Sequence, residues 1–190
     1  MTSGLIIANA LHIPLADGSV QCIATSPPYY GLRDYGLPPT IWGDGWLGCL
    51  GLEPTPELYV AHLVAIGREL RRVLREDGVF WLNLGDSYAS IGRSARKESP
   101  GVGAKQEMDK VPRDLIWHAG DDSRFQWTLP GGQKPKDLIG IPWRVALALQ
   151  ADGWYLRSEI IWAKPNPMPE SVTDRPTKAH ETIFLLAKSA

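Results

Sequence analysis

Val20-Gln21-Cys22-Ile23-Ala24-Thr25-Ser26-Pro27-Pro28-Tyr29-Tyr30 decides how the rest of the chain is read. Val20 to Thr25 has the length and the β-branched, apolar content of a short buried strand. The Ser-Pro-Pro that follows cannot continue it, because neither proline has an N–H for a sheet ladder. The strand therefore delivers Ser26 to its C-terminal end, where open α/β sheets bind their ligands. Upstream, Leu5 to Ile7 reads as another short buried strand, set apart by a turn at Ala16-Asp17-Gly18.

Downstream the period changes. Thr55 is a helix cap, Pro56 suits the first helical position, and Tyr59, Leu63, Ile66, Leu70 and Val73 recur at helical spacing until Gly78. Val79 to Leu84 is then a nearly continuous apolar run, as expected of a parallel strand covered on both faces, and Gly85-Asp86-Ser87 leaves the sheet. Residues 88–136 lack a period and are rich in Gly, Ser, Arg and Lys, so they read as a partly mobile insertion. Pro142 to Gln150 is a second helix closed by Asp152-Gly153, and Trp154 to Trp162 and Thr182 to Lys188 are the last strands, joined by Lys164-Pro165-Asn166-Pro167-Met168-Pro169. This order predicts one α/β domain over 1–190, its sheet built with crossover helices.

Composition narrows the class without naming a function. With 44% hydrophobic and 22% charged residues in 190, the chain can build one ordinary core. No apolar run reaches the roughly 18 residues of a membrane span, and Met1-Thr2-Ser3-Gly4 does not begin a leader, so a soluble, cytoplasmic protein without membrane partners is expected. Cys22 and Cys49 suit neither a disulfide framework nor a zinc site and read as small core residues. A net charge of -1 excludes a general polycation but leaves room for a local basic surface. The 8 Trp and 16 Pro supply stacking faces and rigid backbone suited to a planar ligand.

Ser26-Pro27-Pro28-Tyr29 has a definite chemical use. The prolines hold their carbonyls in a rigid frame, and an exocyclic base amine has two hydrogens to place. If the Ser26 hydroxyl and the Pro27 carbonyl accept them, the nitrogen lone pair is drawn out of ring conjugation and can be aimed at an electrophilic methyl group. Tyr29 can stack on the base, with Tyr30 beside it, once the base has been flipped from its duplex at a cost of a few kcal/mol. No cysteine follows a proline here, which disfavours the carbon-methylating route through a Cys nucleophile.

Thr25 to Gly36 (TSPPYYGLRDYG) resembles the catalytic motif of bacterial and phage DNA amino-methyltransferases, the N4-cytosine and N6-adenine type. Trp81 to Tyr88, Ile141 to Arg144, Trp162 to Glu170 and Arg175 to Glu181 resemble further blocks of that family in the same order, nearly end to end. The resemblance implies a Rossmann-like S-adenosylmethionine-dependent methyltransferase fold of permuted motif order, acting on double-stranded DNA. It sets Asn9 and Asp86 at the cofactor site, although members commonly carry an acidic residue in a Gly-Asp pair where Asn9 stands. The family's Asp-Pro-Phe-x-Gly-Ser-Gly-Thr cofactor motif does not occur in these 190 residues. The expectation is a partial domain lacking the cofactor-motif strands, completed by a missing C-terminal segment or a second chain. Ser at the first motif position implies N4-cytosine over N6-adenine and disfavours a protein-glutamine methyltransferase. A non-catalytic DNA-binding remnant is the rival from a different class.

Several residues carry two readings each. Arg33 either touches DNA or pairs with Asp34 at the surface. Asp86 either caps a turn or faces the pocket, and Lys164 and Asn166 either contact DNA or are solvated. His180-Glu181 reads as a structural hydrogen-bonding pair, because no third metal ligand is evident. Trp81, Trp143, Trp154 and Trp162 read as core. Arg93, Arg96, Lys97, Lys105, Lys110 and Arg113 are a solvated loop or a phosphate track.

Overall fold

A computed structural model describes residues 4–89, 134–167 and 169–190. The insertion read over 88–136, with its basic positions, lies almost wholly outside the described residues. In chain order the elements are β1 (Val20–Thr25), β2 (Thr40–Ile41), β3 (Leu47–Gly48), α1 (Pro56–Val73), β4 (Leu74–Leu84), α2 (Ile141–Ala151), β5 (Tyr155–Ala163) and β6 (His180–Ala187).

The main sheet has the order β1-β4-β6-β5. β1 runs parallel to β4, whereas β6 lies between β4 and β5 and is antiparallel to both. Thus β1, β4 and β5 share one direction and β6 opposes them. α1 and α2 make the crossovers, as expected. Burial alternates along the central strands: Phe80, Leu82 and Leu84 of β4 and Thr182, Phe184 and Leu186 of β6 are buried on one face. That face packs against Tyr59 and Leu63 of α1 and Ile141, Val145 and Leu149 of α2. The opposite face, with Val79, Trp81 and Asn83, is half-buried, which corrects the expectation of cover on both sides.

The helix start is as the sequence predicts. The Thr55 hydroxyl accepts the Leu58 N–H at 3.2 Å, and Pro56 occupies the first turn. The end differs, because Leu74 already has extended backbone and Gly78 lies within β4. A side chain at Gly78 would collide with Leu74, so this glycine serves close packing, not helix termination.

Leu5 to Ile7 form no strand: Leu5 and Ile7 are almost fully exposed, and no described strand lies beside them. An extended segment without a paired edge gains no ladder bonds. The N-terminal stretch is fastened further along, where the Ile13 N–H donates to Glu69 Oε1 at 2.7 Å and Arg72 donates to the Ile13 carbonyl at 2.9 Å. β1 is an edge strand of the described sheet with exposed positions, so Cys22 is exposed instead of core, and Cys49, just after β3, is half-buried. Of the four tryptophans read as core, Trp154 is buried and Trp81 half-buried, while Trp143 and Trp162 are 45% and 47% exposed. Among the described residues no helix is long and apolar enough to cross a membrane.

Candidate active site

Ser26 leaves the end of β1 beside the ends of β4 and β5, and the antiparallel sense of β6 brings that strand's beginning to the same edge. Trp162 pairs with Glu181 and Ala163 with His180. A cleft of about 510 Å³ opens there, lined among others by Tyr29, Asp86, Lys164, Asn166, His180 and Glu181. Residues more than a hundred positions apart thus meet through topology alone.

Tyr29 is the centre of the polar arrangement. The Ser26 hydroxyl donates to its phenolic oxygen at 3.1 Å, Asn83 Nδ2 donates to the same oxygen at 3.1 Å, and the phenol donates to Glu181 Oε2 at 3.1 Å. Asn83 Nδ2 also reaches Glu181 Oε2 at 2.9 Å, and Lys164 Nζ lies 3.2 Å from Glu181 Oε1. Burial raises the Tyr29 pKa, reinforced by the Glu181 charge. Burial also opposes ionisation of Glu181, but hydrogen bonds from Asn83, Lys164 and Tyr29 outweigh it and hold its pKa below the usual carboxylate value. The phenol ring lies so close over Gly85 that a Cβ there would collide with it, so a glycine at this strand end lets the ring take its place.

The backbone of the loop is braced from behind. The buried Tyr59 hydroxyl donates to the Pro28 carbonyl at 2.8 Å, and the Gly31 N–H donates to the Gly51 carbonyl at 2.7 Å. Gly51 has φ 93°, and a Cβ there would press on the Tyr29 carbonyl. Its N–H donates to Glu53 Oε2, while Glu53 Oε1 meets His62 Nδ1 at 2.9 Å and Asp44 meets His62 Nε2 at 3.2 Å. Trp42 stacks on the His62 ring at 3.9 Å. The β2–β3 hairpin is therefore locked to α1, and the motif loop to both. Among the described residues the Pro27 carbonyl accepts no protein hydrogen bond.

The other residues singled out from the sequence divide. Lys164 and Asn166 line the cleft, and Lys164 also lies 3.3 Å over the Trp162 ring. Asp86 lines it too, yet its Oδ1 accepts the N–H groups of Ser87, Gly140 and Ile141 at 2.9–3.0 Å and so caps α2, which has no side-chain cap of its own. Both readings of Asp86 meet in one carboxylate. Tyr30 turns away from the cleft: its ring packs on Tyr59 at 5.6 Å, and burial pushes its pKa up to about 12. Arg33 lines a separate small hollow with Tyr35 and Leu37, and Asp34 accepts the Gly36 N–H instead of pairing with Arg33. Asn9 closes a local turn by accepting the Leu11 N–H at 2.9 Å and does not line the cleft. Asn83, Tyr59 and Gly85 were missed as site residues by sequence reasoning. Glu181 was noticed there as a structural hydrogen bonder, without its partner Tyr29.

The motif thus stands at a strand end beside a polar cleft, on a mixed α/β sheet with one antiparallel strand set between strands of the other direction. The DNA methylase family model of the N6/N4 type matches residues 20–190, and the chain belongs to that family. It is 48% identical over 178 residues to the type II methyltransferase M.XycI of Xanthomonas campestris pv. cyanopsidis, covering 92% of this chain and 50% of that protein. With M.SmaI of Serratia marcescens it shares 49% over 168 residues, covering 88% and 49%. The chain therefore spans about half the length of the curated relatives it matches. The fold is that of the PvuII cytosine-N4-specific DNA methyltransferase, with a TM-score of 0.55, 16% identity, and coverage of 96% of this chain and 48% of that one. A putative DNA modification methylase of Thermus thermophilus, solved in complex with S-adenosyl-L-methionine, has a TM-score of 0.52 at 18% identity, covering 93% and 49%.

S-adenosylmethionine is the methyl donor of the family, and the residues present were assigned to it at Asn9 and Asp86. The Asn9 side-chain oxygen is used in its own turn, and Asp86 Oδ1 is shared by three backbone donors, which leaves Asp86 Oδ2 as the carboxylate oxygen open to a ligand.

Proposed function

We propose that this chain is the target-base half of a DNA methyltransferase that modifies the exocyclic N4 of a flipped cytosine in double-stranded DNA. The observation that carries the reading is at Ser26: its hydroxyl hydrogen is committed to Tyr29, which leaves its lone pairs as acceptors, and among the described residues the Pro27 carbonyl next in the chain accepts no protein hydrogen bond. Two acceptors at a rigid strand end suit the two hydrogens of one amine. The Pro28 carbonyl is held by Tyr59 and does not compete. The Tyr29 ring, laid over Gly85, offers a face for stacking, and Lys164, Lys178 and Asn166 on the cleft rim suit a phosphate backbone.

The choice of cytosine rests on Ser26, since the family resemblance associates Ser at that position with cytosine and Asp with adenine. Among the described strands β1 has a free edge, which is the natural place for further strands to join. Mass spectrometry of nucleosides from DNA treated with the full-length protein tests the reading. N4-methylcytosine is the expected product. N6-methyladenine alone would transfer the assignment to adenine, and 5-methylcytosine would overturn the mechanism.

A further inference from the structure

We infer that Ser26, Tyr29 and Glu181 form a proton relay that carries the surplus proton of the methylated amine away from the base. The inference rests on the amino-methyltransferase reading and adds to it the fate of the proton.

Amine methylation must dispose of a proton. Forming the N–CH3 bond uses the nitrogen lone pair, while the bond that held the methyl group breaks with its electrons remaining on the sulfur of the sulfonium donor. The nitrogen is left with two hydrogens, a methyl group and a positive charge, and a protonated exocyclic amine is a far stronger acid than a carboxylic acid. A base within reach along hydrogen bonds takes that proton without any large motion.

The hydrogen bonds run in the required direction. Ser26 donates to Tyr29 and Tyr29 donates to Glu181, so both hydroxyl hydrogens point along the chain toward the carboxylate and the Ser26 oxygen keeps its lone pairs for an incoming donor. When the amine N–H points at Ser26 Oγ, one proton passes to Ser26, the Ser26 proton to the Tyr29 oxygen, and the Tyr29 proton to Glu181 Oε2. Two O–H bonds break, three form with the one made at the carboxylate, and the single N–H bond is lost. Charge balances, since the cationic nitrogen becomes neutral and the carboxylate becomes a neutral acid. Neither hydroxyl changes its net protonation.

The surroundings favour Glu181 as the terminus. Lys164 from the end of β5 and Asn83 from β4 hold it as the anion, and Lys178, His180, Asp86 and Glu170 are the other titratable groups lining the same cleft. Glu181 is 28% exposed at its side chain, so the proton can pass on to water. Asn83 donates to both the phenol and the carboxylate, and among the described residues its buried Oδ1 has no partner, so the two bonds to the relay are what orient its amide. Tyr29 thereby has two separable parts, a ring for the base and a hydroxyl for the proton.

The test uses single-turnover methylation by the full-length protein, with 2-aminopurine next to the target cytosine reporting base flipping. Tyr29→Phe keeps the ring and Glu181→Gln keeps the shape, so both should flip the base normally yet methylate on the order of 100-fold more slowly. The double variant should be no slower than the worse single one, because both break the same chain. Added formate should restore much of the rate of Glu181→Ala and none of that of Tyr29→Phe. Wild-type rates in Tyr29→Phe or Glu181→Gln would overturn the relay while leaving the methyltransferase reading intact. A wild-type protein that methylates no DNA amine would overturn that reading instead.

Discussion

The Tyr59 hydroxyl donates to the Pro28 carbonyl at 2.8 Å, so a helix residue fixes which of the two proline carbonyls the motif can offer to a ligand. Tyr59 is fully buried and its phenol is held far from ionisation by that burial. Tyr59→Phe should lower stability by about 1 kcal/mol, as expected for one lost hydrogen bond to a part-buried carbonyl. It should also slow methylation more than it weakens DNA binding, because the Pro28 carbonyl then competes with that of Pro27. Urea denaturation and single-turnover rates measure the two effects, and an unchanged rate would show that the brace is structural only.

Asp86 links the strand end to α2 through three N–H groups. Asp86→Ala should destabilise the protein by about 1–2 kcal/mol, the usual range for loss of a helix cap, and Asp86→Asn should recover most of it because the amide oxygen still accepts. Because Asp86 Oδ1 and the Asn9 side-chain oxygen are both engaged, the 190-residue chain should bind S-adenosylmethionine weakly in isothermal titration. Micromolar affinity would contradict this and locate a donor site within these residues.

The Glu181 pKa is lower in the folded protein than its ordinary value of 4.5. A depressed carboxylate contributes stability that is fully present above the unfolded pKa and is lost as pH falls through the folded pKa. Acid titration of stability should therefore steepen below about 4.5 in the wild type and flatten there in Glu181→Gln. The side chain is partly exposed, so the effect should shrink in high salt. Parallel acid curves for the two proteins would contradict the charge assignment.

What the sequence reveals and what it hides follow from the range of each signal. The cap at Thr55, the helical spacing from Tyr59 to Val73 and the Ser-Pro-Pro stop after Thr25 are local, and each stands where it was read. The sense of β6 is not local: an alternating apolar strand looks the same whether it pairs parallel or antiparallel, yet its reversal puts Glu181 beside Tyr29. Trp162 lies in an apolar run but faces outward beneath Lys164, because β5 is the sheet's other edge. Leu5 to Ile7 has strand composition but no described partner, and composition cannot supply one. The family motifs made Ser26 to Tyr29, Asp86, Lys164 and Asn166 visible, while Asn83 and Gly85, inside quoted blocks, acquire meaning only from the Tyr29 ring that lies against them.

The most direct measurement of the account is the effect of Ser26→Ala in the full-length protein on single-turnover methylation and on DNA affinity measured side by side. Ser26 is exposed at the strand end and makes no contact that the fold needs beyond its bond to Tyr29, so the variant should fold normally. If Ser26 accepts the target amine on the way to the transition state, the rate should fall by about 100-fold while the dissociation constant for DNA changes by less than about threefold. A Ser26→Ala protein that methylates at the wild-type rate would contradict the account and place the amine-binding site elsewhere.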